Sequence, residues 1–251
     1  MSKIYDALQI AHSARTGSAP KNDEEPAASI LPTFSGPGCL LPKIYYDSEF
    51  SVLAQNILSL LAIPEKNVIQ FIGSREGEGT STLTREFAMA MARQSTKPVL
   101  LVEADNYKPC QYQAFGIEAK PSLDHLLQEG LSLDRVVTEV EKSNLFLATL
   151  SSELQSSLSG RNFFGSIDLW KPVREQFSLI LLDSTPANFS AESLAISGTV
   201  DGVVLVVEAE KTRSVIARSV KEQILMYNGN LLGIVFTKRK FHIPKFLYKF
   251  L

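Results

Sequence analysis

The chain has 251 residues, 45% of them hydrophobic, with 25 Lys and Arg against 27 Asp and Glu for a formal charge of -2. That is enough chain to bury one large α/β core, and the charge balance shows no bias toward nucleic acid. Cys39 and Cys110 are too few and too far apart for a disulfide framework or a zinc site; with no apolar run near the roughly 18 residues of a membrane span and no signal-peptide core, the sequence predicts a soluble, intracellular protein of a reducing cytosol.

Residues 1–16 carry Ile4, Leu8, Ile10 and Ala11 at helical spacing, and Gly17 and Pro20 end that helix. Residues 17–43 are rich in Pro, Ser, Ala and Gly, with an acidic patch at Asp23-Glu24-Glu25, and read as a flexible linker. The first helix either packs on the domain or contacts a partner from its tether. Residues 44–240 then alternate in βα fashion. Glu49 to Leu61 reads as a helix, Val68 to Ile72 as a strand, Ser81 to Arg93 as a helix and Val99 to Val102 as a strand. Leu123 to Val140 reads as less regular helix, Leu145 to Ala148 as a short strand, and a helix around Phe164 to Glu175 leads into a strand ending at Asp183. Gly202 to Val207 and Leu231 to Phe236 complete the sheet, joined by a helix over Ser214 to Tyr227. This alternation predicts an α/β fold, a mostly parallel sheet with helices on both faces. Residues 241–251 form a basic-aromatic tail, and from Lys238 onward there is no acid. It reads either as a segment for an anionic membrane surface or a partner groove, or as a tail whose aromatics pack on the domain.

The chemistry concentrates at one strand-to-helix turn, Gly73-Ser74-Arg75-Glu76-Gly77-Glu78-Gly79-Thr80-Ser81-Thr82. Gly77 and Gly79 let the chain pass close to a phosphate without a Cβ in the way, and backbone N–H groups at a helix N-terminus favour an anion. Ser81 stands where a hydroxyl would ligate Mg²⁺, whereas Thr80 stands where such loops carry lysine. Two further apolar strands end in acids, one in Glu103 and Asp105 and the other in Asp183. In parallel sheets ligands sit at the carboxyl ends of strands, so the turn and the three acids are expected along one edge. The bland alternatives are a tight turn made by two glycines and acids that merely cap the next turns. His12, His125 and His242 lack ligand-spaced neighbours, and no metal other than Mg²⁺ is expected.

These segments resemble the bacterial tyrosine autokinases of capsule and exopolysaccharide synthesis, relatives of the ParA/MinD class of P-loop ATPases. Gly77 to Thr82 is similar to the family's Walker A loop, Leu101-Val102-Glu103-Ala104-Asp105 to its Walker A′ strand and Leu181-Leu182-Asp183-Ser184-Thr185-Pro186 to its Walker B strand. Met1 to Leu8, Asp201 to Val207, Lys211-Thr212-Arg213, Leu232 to Phe236 and Ile243 to Tyr248 match further family segments, so the resemblance spans nearly the whole chain. It implies a P-loop NTPase fold that binds Mg-ATP through Arg75, Gly77, Glu78, Gly79, Thr80, Ser81 and Thr82. Ser81, Asp105 and Asp183 would hold the Mg²⁺, with Asp105 and Glu103 as catalytic acids.

Departures from the family pattern cut against catalysis. Thr80 replaces the Walker A lysine, Glu103 an aspartate, Lys108 an arginine, and Thr237 the asparagine that reads adenine. Ser51 and Ala54 stand where basic residues join protomers into rings, and the C-terminal tyrosine cluster is reduced to Tyr248. Arg75, at the position of the extra lysine of ParA/MinD relatives, is the one candidate to replace the missing charge. The expectation is a degenerate member that binds Mg-ATP weakly or not at all and acts by contacts. Its partner would be the cytoplasmic face of a membrane polysaccharide co-polymerase or a kinase paralogue, placing the chain in the cytoplasm and at the inner membrane through that partner. The alternatives are an active Mg-ATP-dependent tyrosine autokinase and a ParA-like ATPase.

Overall fold

The computed structural model describes residues 47–61, 67–158 and 170–239, all within the unit Gly38–Leu251. The expected N-terminal helix, the linker and the tail 241–251 lie outside the described residues. Apolar β-branched runs make the strands: β1 is Val68–Gly73, β2 Val99–Ala104, β3 Thr138–Glu139, β4 Leu145–Thr149, β5 Leu179–Ser184, β6 Gly202–Glu208 and β7 Leu231–Thr237. Among the described residues they form one seven-stranded sheet in the order β3-β4-β2-β5-β1-β6-β7. Every pairing is parallel except that of the short edge strand β3, which runs antiparallel to β4.

The helices are α1 (Asp47–Leu61), α2 (Thr80–Gln94), α3 (Gln111–Phe115), α4 (Asp124–Gln128), α5 (Leu133–Val136), α6 (Ser152–Leu158), α7 (Lys171–Arg174), α8 (Ala191–Ile196) and α9 (Ser214–Met226). They cover both faces of the sheet, because alternate strand residues point to opposite sides. Ile69, Phe71, Leu101 and Leu181 pack with Ala54, Ile57, Phe87 and Met91 of α1 and α2. Val68, Leu100, Ile180 and Leu182 pack on the other face with Trp170 and Val173. Phe87 is the pivot of the first layer, its ring 5.5 Å from that of Phe71 and 6.4 Å from that of Phe50.

Two expected elements differ. The stretch Leu123 to Val140 is two short helices, α4 and α5, followed by β3, because Gly130 at φ +64° breaks the run and Thr138 pairs with Leu147. The helix expected around Phe164 to Glu175 is, among the described residues, the single turn α7. Ala54, one of the ring-motif positions, is buried against α2, so its small side chain is a packing feature. Short α3, α6 and α8 carried too little periodicity to be read from the sequence.

One polar side chain interrupts the centre of the sheet. Gln70 on β1 is fully buried; its Nε2 donates to the Ser193 carbonyl at 2.7 Å and to Ser184 Oγ at 3.0 Å, and its Oε1 accepts from Ser197 Oγ at 2.8 Å. It ties β1 to β5 and α8, so its loss strands three groups. Gln70→Leu is expected to lower stability by about 2 to 4 kcal/mol, since each buried group left unpaired costs about 1 to 3. The reading is a fall in urea midpoint at unchanged slope.

Candidate phosphate-binding site

β1 runs into α2 through a loop in which Gly77 at φ +82° and Gly79 at φ +86° take the left-handed backbone that other residues resist. Gly73 opens the base of the loop: a Cβ there would stand 2.6 Å from Thr80 Oγ1 and 3.4 Å from Glu78 Oε2. The Glu78 carboxylate is buried beneath the loop and holds it together. It accepts from the Ser74 amide at 2.6 Å, Ser74 Oγ at 2.7 Å, the Arg75 amide at 3.0 Å and the Thr212 hydroxyl. The amides of Gly79, Thr80, Ser81 and Thr82, at the N-terminus of α2, have no protein partner among the described residues. Four N–H groups and the positive end of a 15-residue helix therefore face one spot.

The cations lie around this spot. Arg75 reaches sideways to the Lys211 carbonyl at 3.4 Å and Thr212 Oγ1 at 3.2 Å. Lys108 pairs with Glu76 on the surface. Lys238 reaches the Gly77 carbonyl from the end of β7. Thr80 is buried, its hydroxyl turned toward Gly73.

Strand register brings the acids to the loop. Glu103 and Asp183 are partners across β2 and β5, and Asp183 is the partner of Phe71 on β1. Asp183 is fully buried; its Oδ2 accepts from Gln111 Nε2 at 2.6 Å, the Ser81 hydroxyl stands beside it, and its Oδ1 has no partner. Burial pushes its pKa up to about 7; the Gln111 and Ser81 hydrogen bonds oppose the rise, and the charges of Asp105 and Glu103 add to it. Asp105 accepts at Oδ1 from Thr185 Oγ1 at 3.0 Å and from the amides of Tyr107 and Lys108 at 3.0 and 3.1 Å, while its Oδ2 has no hydrogen bond among the described residues. Glu103 is committed elsewhere: its Oε1 caps α3 by accepting from the amides of Cys110 and Gln111. Burial raises its pKa, and those two bonds offset part of the rise.

Gln111 and Arg85 escaped the sequence reading. Gln111 links the Ser81 carbonyl at 3.0 Å to Asp183, and its Oε1 accepts from Arg85 Nη1 at 3.1 Å. No motif marks Gln111, and Arg85 looks like any charged position on an amphipathic helix. Burial lifts the neighbouring Cys110 thiol to about 11, so it is no nucleophile near neutrality. At the rim Tyr107 and Phe189 stack with centroids 4.7 Å apart. Beyond Phe189 lies a depression of about 410 Å³ lined by Leu194, Met226 and Tyr227, which holds none of the acids or loop amides.

A magnesium-bound phosphate fits these residues. The buried, unpartnered Asp183 Oδ1 is an acceptor awaiting a cation or a proton, and Ser81 and Asp105 Oδ2 offer further oxygens. Among the described residues no three His, Cys, Asp or Glu side chains are placed to hold a metal alone, so phosphate oxygens would have to complete the shell. Bound there, the metal would neutralise charge on the phosphates.

Without metal, the folded chain holds a proton on Asp183 between the ordinary carboxylate value of 3.8 and about 7, and the unfolded chain does not. The stability this contributes is fully present below the unfolded value and is lost as pH rises through about 7. In metal-free buffer, Asp183→Asn is expected to melt several degrees above the parent at about pH 8 and to lose that advantage near pH 4. Equal melting at the higher pH would show that Asp183 is not held neutral by burial.

No family model matches the chain. It is 25% identical over 205 residues to tyrosine-protein kinase YwqD of Bacillus subtilis, covering 79% of this chain and 84% of that one. Tyrosine-protein kinase CpsD of Streptococcus agalactiae is 23% identical over 177 residues, 69% of this chain and 76% of its own. Among solved structures, the chimerical protein CapA2B2 superposes with a TM-score of 0.65 at 22% identity over 78% of this chain and 86% of its own. The kinase domain of Escherichia coli ETK gives 0.64 at 14% identity over 79% of each chain, and Aquifex aeolicus MinD 0.55 at 19% over 69% and 70%. By sequence and fold together, the chain is a homologue of the bacterial tyrosine-protein kinases, built on the α/β P-loop architecture that their kinase domains share with MinD.

Proposed function

We propose that the chain is a degenerate tyrosine autokinase of capsule or exopolysaccharide synthesis, which retains a phosphate receptor and acts through protein contacts. The carrying observation is Thr80: it is buried at the base of the loop with its hydroxyl toward Gly73, and it brings no charge to the helix N-terminus. Arg75, the candidate substitute, is spent on the 211–212 turn, and Glu103 is spent on capping α3. A charge-assisted hydrogen bond contributes about 1.5 to 3 kcal/mol, so losing the lysine weakens nucleotide binding by roughly one to two orders of magnitude. Removing one preorganised charge from phosphoryl transfer costs about a further 10² to 10³ in rate. The partner in this reading is the cytoplasmic face of a membrane polysaccharide co-polymerase or an active paralogue, reached through the N-terminal helix and the tail 241–251. The chain would then be cytoplasmic and peripheral to the inner membrane. Among the described residues no helix is long and apolar enough to cross a membrane.

The active-kinase reading draws on the Asp183, Asp105 and Ser81 arrangement, which suits Mg-ATP. Calorimetry with Mg-ATP and phosphotyrosine detection on the incubated protein separate the two. Weak binding and no phosphotyrosine are expected, and Thr80→Lys is expected to tighten Mg-ATP binding about ten- to a hundredfold. Phosphotyrosine on the parent protein would reject the degenerate reading. Deleting the tail or the N-terminal helix is expected to reduce polymer output more than Asp183→Ala does; the reverse order would return nucleotide chemistry to the centre.

A further inference from the structure

The end of β7 presses on the loop from outside. Thr237 Oγ1 donates to the Glu78 carbonyl, and Lys238 Nζ donates to the Gly77 carbonyl. Lys238 sits at φ +53°, a left-handed backbone unusual for a residue with a side chain, and this turn sends its stem across the loop, its Cε 3.9 Å from where a Cβ on Gly79 would stand. Glu208 Oε2 lies 3.5 Å from the same ammonium and fixes it from the β6 side.

Peptide planarity converts these two bonds into a statement about the opposite side of the loop. In a trans peptide the C=O and the following N–H point in opposite directions, and no described peptide bond is cis. Holding the Gly77 and Glu78 carbonyls toward β7 therefore turns the Glu78 and Gly79 N–H groups away from β7. The Gly79 amide joins those of Thr80, Ser81 and Thr82, which have no protein partner. Independently, the buried and unpartnered Asp183 Oδ1 beside Ser81 marks this side of the loop as the side that receives a ligand.

We propose that Thr237 and Lys238 are positioning residues for a phosphate-bearing ligand, in the class of nucleoside di- and triphosphates: they hold two loop carbonyls outward so that the amides beneath stay aimed at phosphate. Lys238 does this from the far side and is not itself a phosphate contact. The inference rests on the loop being a phosphate receptor, as proposed above, and explains how such a receptor keeps its shape without the loop lysine. Fixed amides need no reorganisation on binding, which is where their affinity comes from.

The test uses the full chain, with inorganic pyrophosphate and Mg-ADP as separate probes, in calorimetry and in ¹⁵N–¹H spectra that follow the Gly79 amide. Thr237→Val and Lys238→Ala are each expected to weaken both probes about tenfold and to shift the Gly79 resonance in the free protein, with the urea midpoint unchanged. Lys238→Arg, which keeps a cationic donor, is expected to stay within about threefold of the parent. Because Lys238 faces away from the ligand, the salt dependence of pyrophosphate binding should be the same in the parent and in Lys238→Ala. A flatter salt dependence in that variant would make Lys238 a direct contact and overturn the clamp. So would undiminished affinity in both variants, or a parent that binds neither probe at about 10 mM. A flatter salt dependence or undiminished affinity in the variants leaves the proposed function standing, a parent that binds neither probe removes the phosphate receptor from it as well, and phosphotyrosine on the parent protein rejects the degenerate reading while leaving the clamp untouched.

Discussion

The parallel register of three fully buried strands is the constraint from which the site follows. β1, β2 and β5 are buried along their whole length on both faces, and a one-residue slip would turn every side chain to the opposite layer. With Phe71, Asp183 and Glu103 aligned across them, the acids must emerge beside the loop that leaves β1. Asp183 is thereby buried whether or not anything binds near it. Its raised pKa and its bare Oδ1 are consequences of where the fold places a carboxylate.

Around this frame the chain divides its polar groups into those that hold structure and those left for a ligand. Glu78, Glu103 and Asp105 Oδ1 each accept from two or more donors within the protein, so they act as internal struts of turns and a helix end. Gln111 performs the same service for Asp183 Oδ2, and Arg85 stands behind Gln111 in the core. Among the groups of the site left without a protein partner among the described residues are the first amides of α2, Asp183 Oδ1 and Arg85 Nε. Buried groups left over after such thorough pairing are where a partner molecule gains most, because its bonds replace none made within the protein.

Sequence patterns carried the sheet well. Strands such as Val99–Ala104 and Leu179–Ser184 open on four consecutive apolar residues, the pattern of a strand buried on both faces, and the glycines at 77 and 79 marked the loop. What stayed hidden depended on three-dimensional neighbours. Glu103 was expected among the catalytic acids, and nothing in the sequence shows that the start of α3 folds over it and bonds its Oε1. The sequence offered Arg75 as a charge that could serve in place of a loop lysine, and spacing along the chain says nothing of the turn at 211–212, more than a hundred residues away, to which its guanidinium bonds. Thr237 looked like a lost adenine reader, and its hydroxyl instead bonds the loop. The middle of the chain was misread because Gly130 and the antiparallel β3 cut a helical pattern that continued on paper.

The bonds that Glu78 and Thr237 make to the loop do not involve the Thr80 side chain, which instead fills the space that Gly73 leaves open. A longer cationic side chain at residue 80 would have to leave that space and reach over the loop, so an exchange there changes the packing under Gly73 as well as the charge offered to a phosphate.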